Sequence, residues 1–351
     1  MAFGIRCCAQ FGASGAQYVT GRLQFCRPQL VNFISCTGVE VTGVLLKDPP
    51  FWNLHVWNSS DVHIHDLRIY ADPHPSCGAP GGPRVIADNS DGIDVDSSSD
   101  VLIDRVHIQA QDDAVAIKSG KDRPGRTFGV PSARIMVQRS MLISNDFAVG
   151  SECSGGCSDI TLRDSTMSDA NGSAIDVLRL KSAAGRGGYL RNILVDNVTA
   201  PALRNGARPP DAFRCTLEGA ATSTSLLTVS RAFIQRAPHH PYTPPCAAPC
   251  LVRMRIGCAD WWLDSDDVAY SDESGSGTPI SNVTLRNIRV GVAAGLAGQF
   301  YGSGPGMPWL GLRLENVSVG QSDGAWDCRN VKNVEFLNVY PPDLKKSCVG
   351  R

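Results

Sequence analysis

A chain of 351 residues with 42% hydrophobic content is too apolar to be disordered, and its net charge of −1 supplies no global field for nucleic acid or anionic membrane. No apolar run of about eighteen residues occurs, so no membrane span is expected. Any anionic ligand must then be held by a local cluster. The length exceeds the usual single globular core, a limit that a solenoid escapes because its core grows along one axis. Glycine (35) and proline (22) are plentiful and long amphipathic helical patterns are absent, which favours many short strands joined by tight turns. Thirteen cysteines, with Asn-x-Ser/Thr sequons at Asn58, Asn171, Asn197, Asn282 and Asn316, suit an oxidising, secretory route. The opening residues, Met1 to Cys8, contain no apolar signal segment.

From residue 36 onward one pattern recurs, a small or polar pair followed by alternating aliphatics. It reads Thr37-Gly38-Val39-Glu40-Val41, Ser60-Asp61-Val62-His63-Ile64, Ser99-Asp100-Val101-Leu102-Ile103 and Ser158-Asp159-Ile160-Thr161-Leu162. Later copies are Arg191-Asn192-Ile193, Ser281-Asn282-Val283 and Lys332-Asn333-Val334. A second short strand follows each, such as Leu67-Arg68-Ile69 or Val106-His107-Ile108. Spacings of about 23 to 40 residues with variable inserts match the coils of a parallel β-helix better than uniform blades. A β-sandwich would need hairpin turns between neighbouring strands, and few are visible. The expected fold is all-β, a right-handed single-stranded parallel β-helix, with residues 1–351 forming a single domain.

Three segments place charge where strand residues should be bland. They are Asn89-Ser90-Asp91-Gly92-Ile93-Asp94, then Gln111-Asp112-Asp113 running to Ile117-Lys118-Ser119-Gly120, and Leu178-Arg179-Leu180-Lys181-Ser182. Asp91 and Asp112 lie 21 positions apart, about one coil, which predicts that they stack on adjacent turns. Arg179 and Lys181 alternate with leucines, so both point outward. Consecutive strand residues face opposite sides, so Asp112 and Asp113 share a groove only where the chain turns or bulges. Three carboxylates beside two cations suit hydrolysis of an acidic sugar: one carboxyl held protonated by its neighbours' charge, others activating water, cations holding the substrate's carboxylates.

These residues resemble the glycoside hydrolase family 28 polygalacturonases, which have the pectin-lyase-like β-helix. The family's Asn-Thr-Asp-Gly motif is similar to Asn89-Ser90-Asp91-Gly92, its Gly-Asp-Asp run to Gln111-Asp112-Asp113, and its Arg-Ile-Lys motif to Arg179-Leu180-Lys181. Gly150-Ser151-Glu152-Cys153-Ser154-Gly155-Gly156 and Gly185-Arg186-Gly187-Gly188 resemble the plant-type subgroup. The resemblance is strong over about residues 26–200, and it leaves 202–278 as a divergent insert and 326–351 as a carboxyl-terminal cap. It implies Asp112 as general acid, with Asp91 and Asp113 activating water for an inverting reaction. Arg179 and Lys181 would bind the galacturonate carboxylate, Asn89 would support the site, and no metal or other cofactor is needed. The implied partner is galacturonan or pectin and not nucleic acid or membrane, for a monomer that is secreted or in the cell wall. Where most of the family has Gly-His-Gly, this chain reads Ser144-Asn145-Asp146-Phe147. The chain also starts almost at the first matched coil, so the amino-terminal cap is expected to be truncated.

Alternatives at this level are a non-catalytic pectin-binding β-helix, a hydrolase of rhamnogalacturonan or xylogalacturonan, and a calcium-dependent lyase on the same fold. His55 suits a sugar subsite or a hydrogen-bonded structural place, and His107 a structural one. Trp52, Trp57, Trp261 and Trp262 suit sugar stacking or coil filling. Cys246, Cys250 and Cys258 lack clustered histidines and suit a disulfide or idle thiols better than a metal. Cys328 with Cys348 is the expected disulfide, closing the carboxyl-terminal cap, and the odd cysteine count leaves at least one unpaired within a monomer.

Overall fold

The computed structural model describes residues 2–4, 29–49, 51–71, 89–168, 176–183, 185–203, 213–218, 277–293, 296–303, 306–322, 324–342 and 348. Its strands form two parallel sheets, one of nine strands and one of fourteen. The larger sheet folds over two faces. Strand Cys157–Ser168 pairs with Ser132–Gln138 along its first half and with Met141–Ile143 along its second. Each coil therefore presents three faces, and successive coils stack in register. The chain is a right-handed parallel β-helix, the hand that strand-to-parallel-strand crossovers take.

The recurring polar pair has a conformational cause. In every copy its second residue has positive φ: Gly38, Asp61, Asp100, Asp159, Asn192, Asn282 and Asn333 lie between 52° and 70°. Glycine, asparagine and aspartate enter this left-handed region at least cost, which is why the pair reads as it does. The aliphatic that follows turns inward, and Val39, Val62, Val101, Ile135, Ile160, Ile193, Val283, Leu312 and Val334 form one continuous row across nine coils. Most are buried, each worth roughly 1.5–3 kcal/mol against exposure.

Two coils escape the sequence pattern. One carries Arg134 at the left-handed corner (φ 56°), 34 residues after Asp100, and the other carries Gly311. The true interval near residue 100 is thus shorter than the gap between recognisable pairs suggests. A second corner is held by Asp66, Arg105, Arg139, Asp164, Asn197, Asn287, Asn316 and Asn338, all with φ between 49° and 54°. Their side chains link coil to coil: Asn197 donates to Asp164 at 2.7 Å, Asn316 to Asn287 at 3.1 Å and Asn338 to Asn316 at 2.9 Å.

Cys328 and Cys348 form the expected disulfide, with Cα atoms 5.0 Å apart. Cys153 and Cys157 are buried free thiols, and burial pushes the Cys153 thiol up to about 11. Trp261, Trp262, Cys246, Cys250 and Cys258 lie outside the described residues, as does most of segment 202–278. No helix among the described residues is long and apolar enough to cross a membrane.

Candidate active site

The nine-strand sheet positions the site. Its strands Leu54–Trp57, Ile93–Asp96, Val115–Lys118, Asp146–Val149 and Asp176–Ala183 pair in sequence order. Inward positions carry Ile93, Val95, Val115, Ile117, Phe147, Val149, Leu178 and Leu180, all buried. Outward positions form rows. One runs His55, Asp94, Ala116, Ala148, Arg179; a second includes Trp57, Asp96 and Lys118. The register shift between Asp146 and Ala148 inserts one extra residue on the Asp176–Ala183 strand.

The aspartates sit in the bends that precede these strands. Asp112 and Asp113 lie in a bend before Val115, so the alternation rule does not separate them. Asp91 stacks on Asp113 rather than on Asp112 as the spacing suggested: Ile93 pairs with Val115, and the Gly92 N–H donates to the Asp113 carbonyl at 2.9 Å. The coil here is 22 residues long, from Ile93 to Val115, rather than 21. All three carboxylates nonetheless converge, with one oxygen from each within 4.8 Å of the others. Gly92 makes the approach possible, because a Cβ there would lie 2.3 Å from the Ala114 carbonyl oxygen. Gly150 does the same for the basic strand, where a Cβ would meet the Lys181 carbonyl oxygen.

Each carboxylate has a distinct setting. Asp112 is half-buried; it accepts hydrogen bonds from the Asn89 N–H at 3.2 Å and the Asp113 N–H at 3.0 Å, with the Asn145 amide at 3.5 Å. The stretch that lacks the family's histidine therefore still presents a donor to Asp112. Asp113 is buried and contacts the Lys181 ammonium. Asp91 is buried, and its Oδ1 has no hydrogen-bond partner among the described residues. Burial pushes the Asp91 carboxyl well up, and the charges of Asp94 and Asp112 add to this. Burial and then Asp113 raise Asp112. A carboxyl raised in this way holds its proton to higher pH, as a general acid requires.

Around this trio lies a charged cluster wider than the sequence suggested. Lys118 is buried, 3.0 Å from Glu152 and 3.6 Å from Asp94, with its ammonium 4.7 Å from the Trp52 ring centre. Burial works to raise Glu152, but Lys118 and Arg186 outweigh it and hold that carboxyl well below its usual range. Asp94 is pushed well up by burial, with Lys118 opposing. Arg179 Nη1 lies 3.0 Å from Asp146, whose carboxyl is pushed up to about 6 by burial and then by Asp113.

Arg179 and Lys181 do face outward together, as their alternation with leucine predicts, but both already hold an internal carboxylate. His55 is 3% exposed, with Nδ1 2.9 Å from Asn32 and Nε2 3.7 Å from Asp96. That leaves it little surface for a ligand, and its geometry is that of a hydrogen-bonded structural histidine. His107 is half-buried on strand His107–Gln109 of the fourteen-strand sheet, outside the sheet that carries the site. Asp94, Asp96, Asp146, Lys118 and Glu152 received no role from sequence. The alternation Ile93-Asp94-Val95-Asp96 was the available signal, since it places two carboxylates on outward strand positions. The three aspartate oxygens also meet the spacing condition for a cation, but the Lys181 ammonium already supplies positive charge at Asp113.

The chain belongs to glycosyl hydrolases family 28, whose sequence pattern matches residues 10–208. It is 30% identical over 187 residues to a probable polygalacturonase of Vitis vinifera, covering 52% of this chain and 35% of that one. It is 25% identical over 198 residues to a polygalacturonase of Ralstonia solanacearum, covering 52% and 36%. The matched stretch thus spans about a third of each relative's length. The polygalacturonase of Erwinia carotovora superposes with a TM-score of 0.61 at 16% identity, over 95% of this chain and 68% of that one. An exopolygalacturonase from Thermotoga maritima gives 0.54 at 22%, over 89% and 54%.

Proposed function

We propose that the protein hydrolyses α-1,4-galacturonosyl linkages of demethylated pectin. The observation that carries this reading is the convergence of Asp91, Asp112 and Asp113 beside the Lys181 ammonium. Asp112, raised in pKa and the most exposed of the three, is the proton donor to the leaving glycosidic oxygen. Asp91 and Asp113 orient and deprotonate the attacking water. Lys181 and Arg179 receive the sugar carboxylate. Asn89 and Asn145 hold Asp112 in place.

The oxygen separations, within 4.8 Å, lie nearer the roughly 5–5.5 Å of two-carboxylate retaining enzymes than the roughly 6.5–9.5 Å of inverting ones. With three carboxylates, however, the base is a pair that can share a water, and the reading taken here is inversion. Extracellular action fits the cysteine content and the Cys328–Cys348 bridge.

One observation favours a second reading, a pectin-binding protein with little turnover: Arg179 is already paired with Asp146. Proton NMR of polygalacturonate incubated with the protein separates these outcomes. Wild type should release β-anomeric reducing ends while Asp112→Asn, still folded, releases at least a hundredfold fewer. α-Anomeric product would replace inversion by retention, and saturable binding without any product would establish the binding reading.

A further inference from the structure

Away from the aspartates, the fourteen-strand sheet carries a side-chain cluster that the hydrolytic reading does not use. Strand Ser60–His65 turns His63 and His65 to the same outer side, two positions apart. Glu40, on strand Thr37–Thr42, is the cross-strand partner of His63. Its Oε1 lies 3.0 Å from His65 Nε2, and one donor atom of each residue lies within 4.8 Å of the other two. The two imidazole rings are 4.1 Å apart between centres. We propose that Glu40, His63 and His65 form a surface site for a divalent transition-metal cation of the Zn2+ type, which ties two successive coils together.

Two further observations point the cluster at a cation. His63 Nε2 is shielded from solvent and has no hydrogen-bond partner among the described residues, so a basic lone pair stands unused beside a carboxylate. His65 Nδ1 lies 2.8 Å from Asp66 Oδ2, and Asp66 is itself gripped by Arg105 at 2.8 and 2.6 Å. A carboxylate on the far ring nitrogen fixes the tautomer that directs Nε2 to a metal and raises its basicity. Binding replaces the proton between His65 Nε2 and Glu40, and that proton leaves to solvent.

The donor set selects the ion. Two imidazoles and one carboxylate suit Zn2+, Ni2+ or Cu2+ and leave positions for water, whereas Ca2+ and Mg2+ prefer an all-oxygen shell. Bonds of about 2.0–2.2 Å place tetrahedral ligands roughly 3.4 Å apart, so the donors close by little more than an ångström, within reach of side-chain rotation.

Calorimetric titration of the full chain with ZnCl2 at neutral pH tests this, alongside His63→Gln, His65→Gln, Asp66→Asn and, as a control off the site, His107→Gln. One saturable site is expected, weakened at least tenfold by His63→Gln and by His65→Gln, and about ten- to a hundredfold by Asp66→Asn. His107→Gln should bind as wild type. Wild-type affinity in either His→Gln variant, or no saturable binding by wild type below about 1 mM, overturns the site. Should a variant fail to fold, the visible spectrum of wild type loaded with Co2+ decides instead. Absorption of nitrogen-and-oxygen-ligated tetrahedral Co2+ supports the site, and the spectrum of free aqueous Co2+ overturns it.

Discussion

Asp146 changes what Arg179 can offer a ligand. Its Oδ1 accepts the Asp176 N–H at 2.9 Å while Oδ2 holds the guanidinium at 3.0 Å, so the ion pair is anchored from the backbone. A substrate carboxylate must share Arg179 with this internal rival. Burial, and then Asp113, push the Asp146 carboxyl up to about 6, while Arg179 and Lys181 act to lower it. Below that pH the group is neutral and Arg179 is available; above it the carboxylate competes. KM for polygalacturonate should therefore rise as pH passes from 5 to 7. Asp146→Asn should remove the rise, lowering KM at pH 7 about fivefold, the equivalent of ~1 kcal/mol, with kcat little changed. Steady-state kinetics at the two pH values decide, and an unchanged KM at pH 7 would show that the rival is not felt. Sequence could not display this contact. The stretch Ser144–Phe147 draws notice for the histidine it lacks, and only the fold reveals that its aspartate meets a residue 33 positions away.

At the scale of the element, the left-handed corners explain both the repeat and the sequons. Asn58, Asn197, Asn282 and Asn316 are all positive-φ corner residues, and each spends its amide nitrogen on a neighbouring coil. The Asn-x-Thr or Asn-x-Ser spelling arises because a corner asparagine is followed by an inward residue, valine at three corners and buried Ser59 after Asn58, and then by an outward hydroxyl. Those four sequons are thus better explained by coil geometry than by glycosylation, and Asn171 lies outside the described residues. The corner at Asn287 is open to measurement. It donates to Asp196 at 2.9 Å and accepts from Asn316 at 3.1 Å. Asn287→Ala should lose about 1–2 kcal/mol through its φ of 53° alone, plus the hydrogen bonds. Asn287→Gly keeps the backbone freedom and should lose less. Urea unfolding compares them, and equal losses would assign the cost to hydrogen bonding alone. The same rule shows why two coils stayed hidden. Arg134 occupies a corner that its side chain does not favour, and its pairing with Asp100 at 2.6 Å is visible only once the coils are stacked.

For the whole molecule, the two populations of carboxylates set a pH window. Asp91, Asp94, Asp112 and Asp146 are raised, first by burial, so the folded state binds their protons more tightly than the unfolded chain. Their contribution is present at low pH and is lost as pH climbs from about 4 through 6 and beyond. Asp100 is lowered to about 2, its Arg134 hydrogen bond being the largest cause, and Glu152 is lowered by Lys118 and Arg186 against the opposing effect of burial. Their contribution is lost as pH falls below about 4, and that of exposed Asp100 is small. Thermal unfolding should therefore peak between about pH 4 and 6 and decline towards pH 8. Asp94→Asn, which deletes a buried carboxylate with no hydrogen-bond partner among the described residues, should flatten that decline. A Tm that rises steadily to pH 8 would contradict the assignment. The β-helix was legible because period-two strands and turn residues are local signals. The cleft was legible only where charge interrupts them, since burial of Asp94, Lys118 and Glu152 depends on coils far apart in sequence.

The stack has one more property. Strands Leu190–Ala200 and Ile280–Val292 are direct neighbours in register, from Leu190 with Ile280 to Ala200 with Val290, although 90 residues separate the paired positions. The chain between them supplies strand Phe213–Glu218 to the nine-strand sheet, and the register of the larger sheet holds across the long separation. Closing such a loop costs only about 0.6 kcal/mol for each doubling of its length. A boundary of this kind is where a solenoid can acquire, exchange or discard an accessory segment while its spine is preserved.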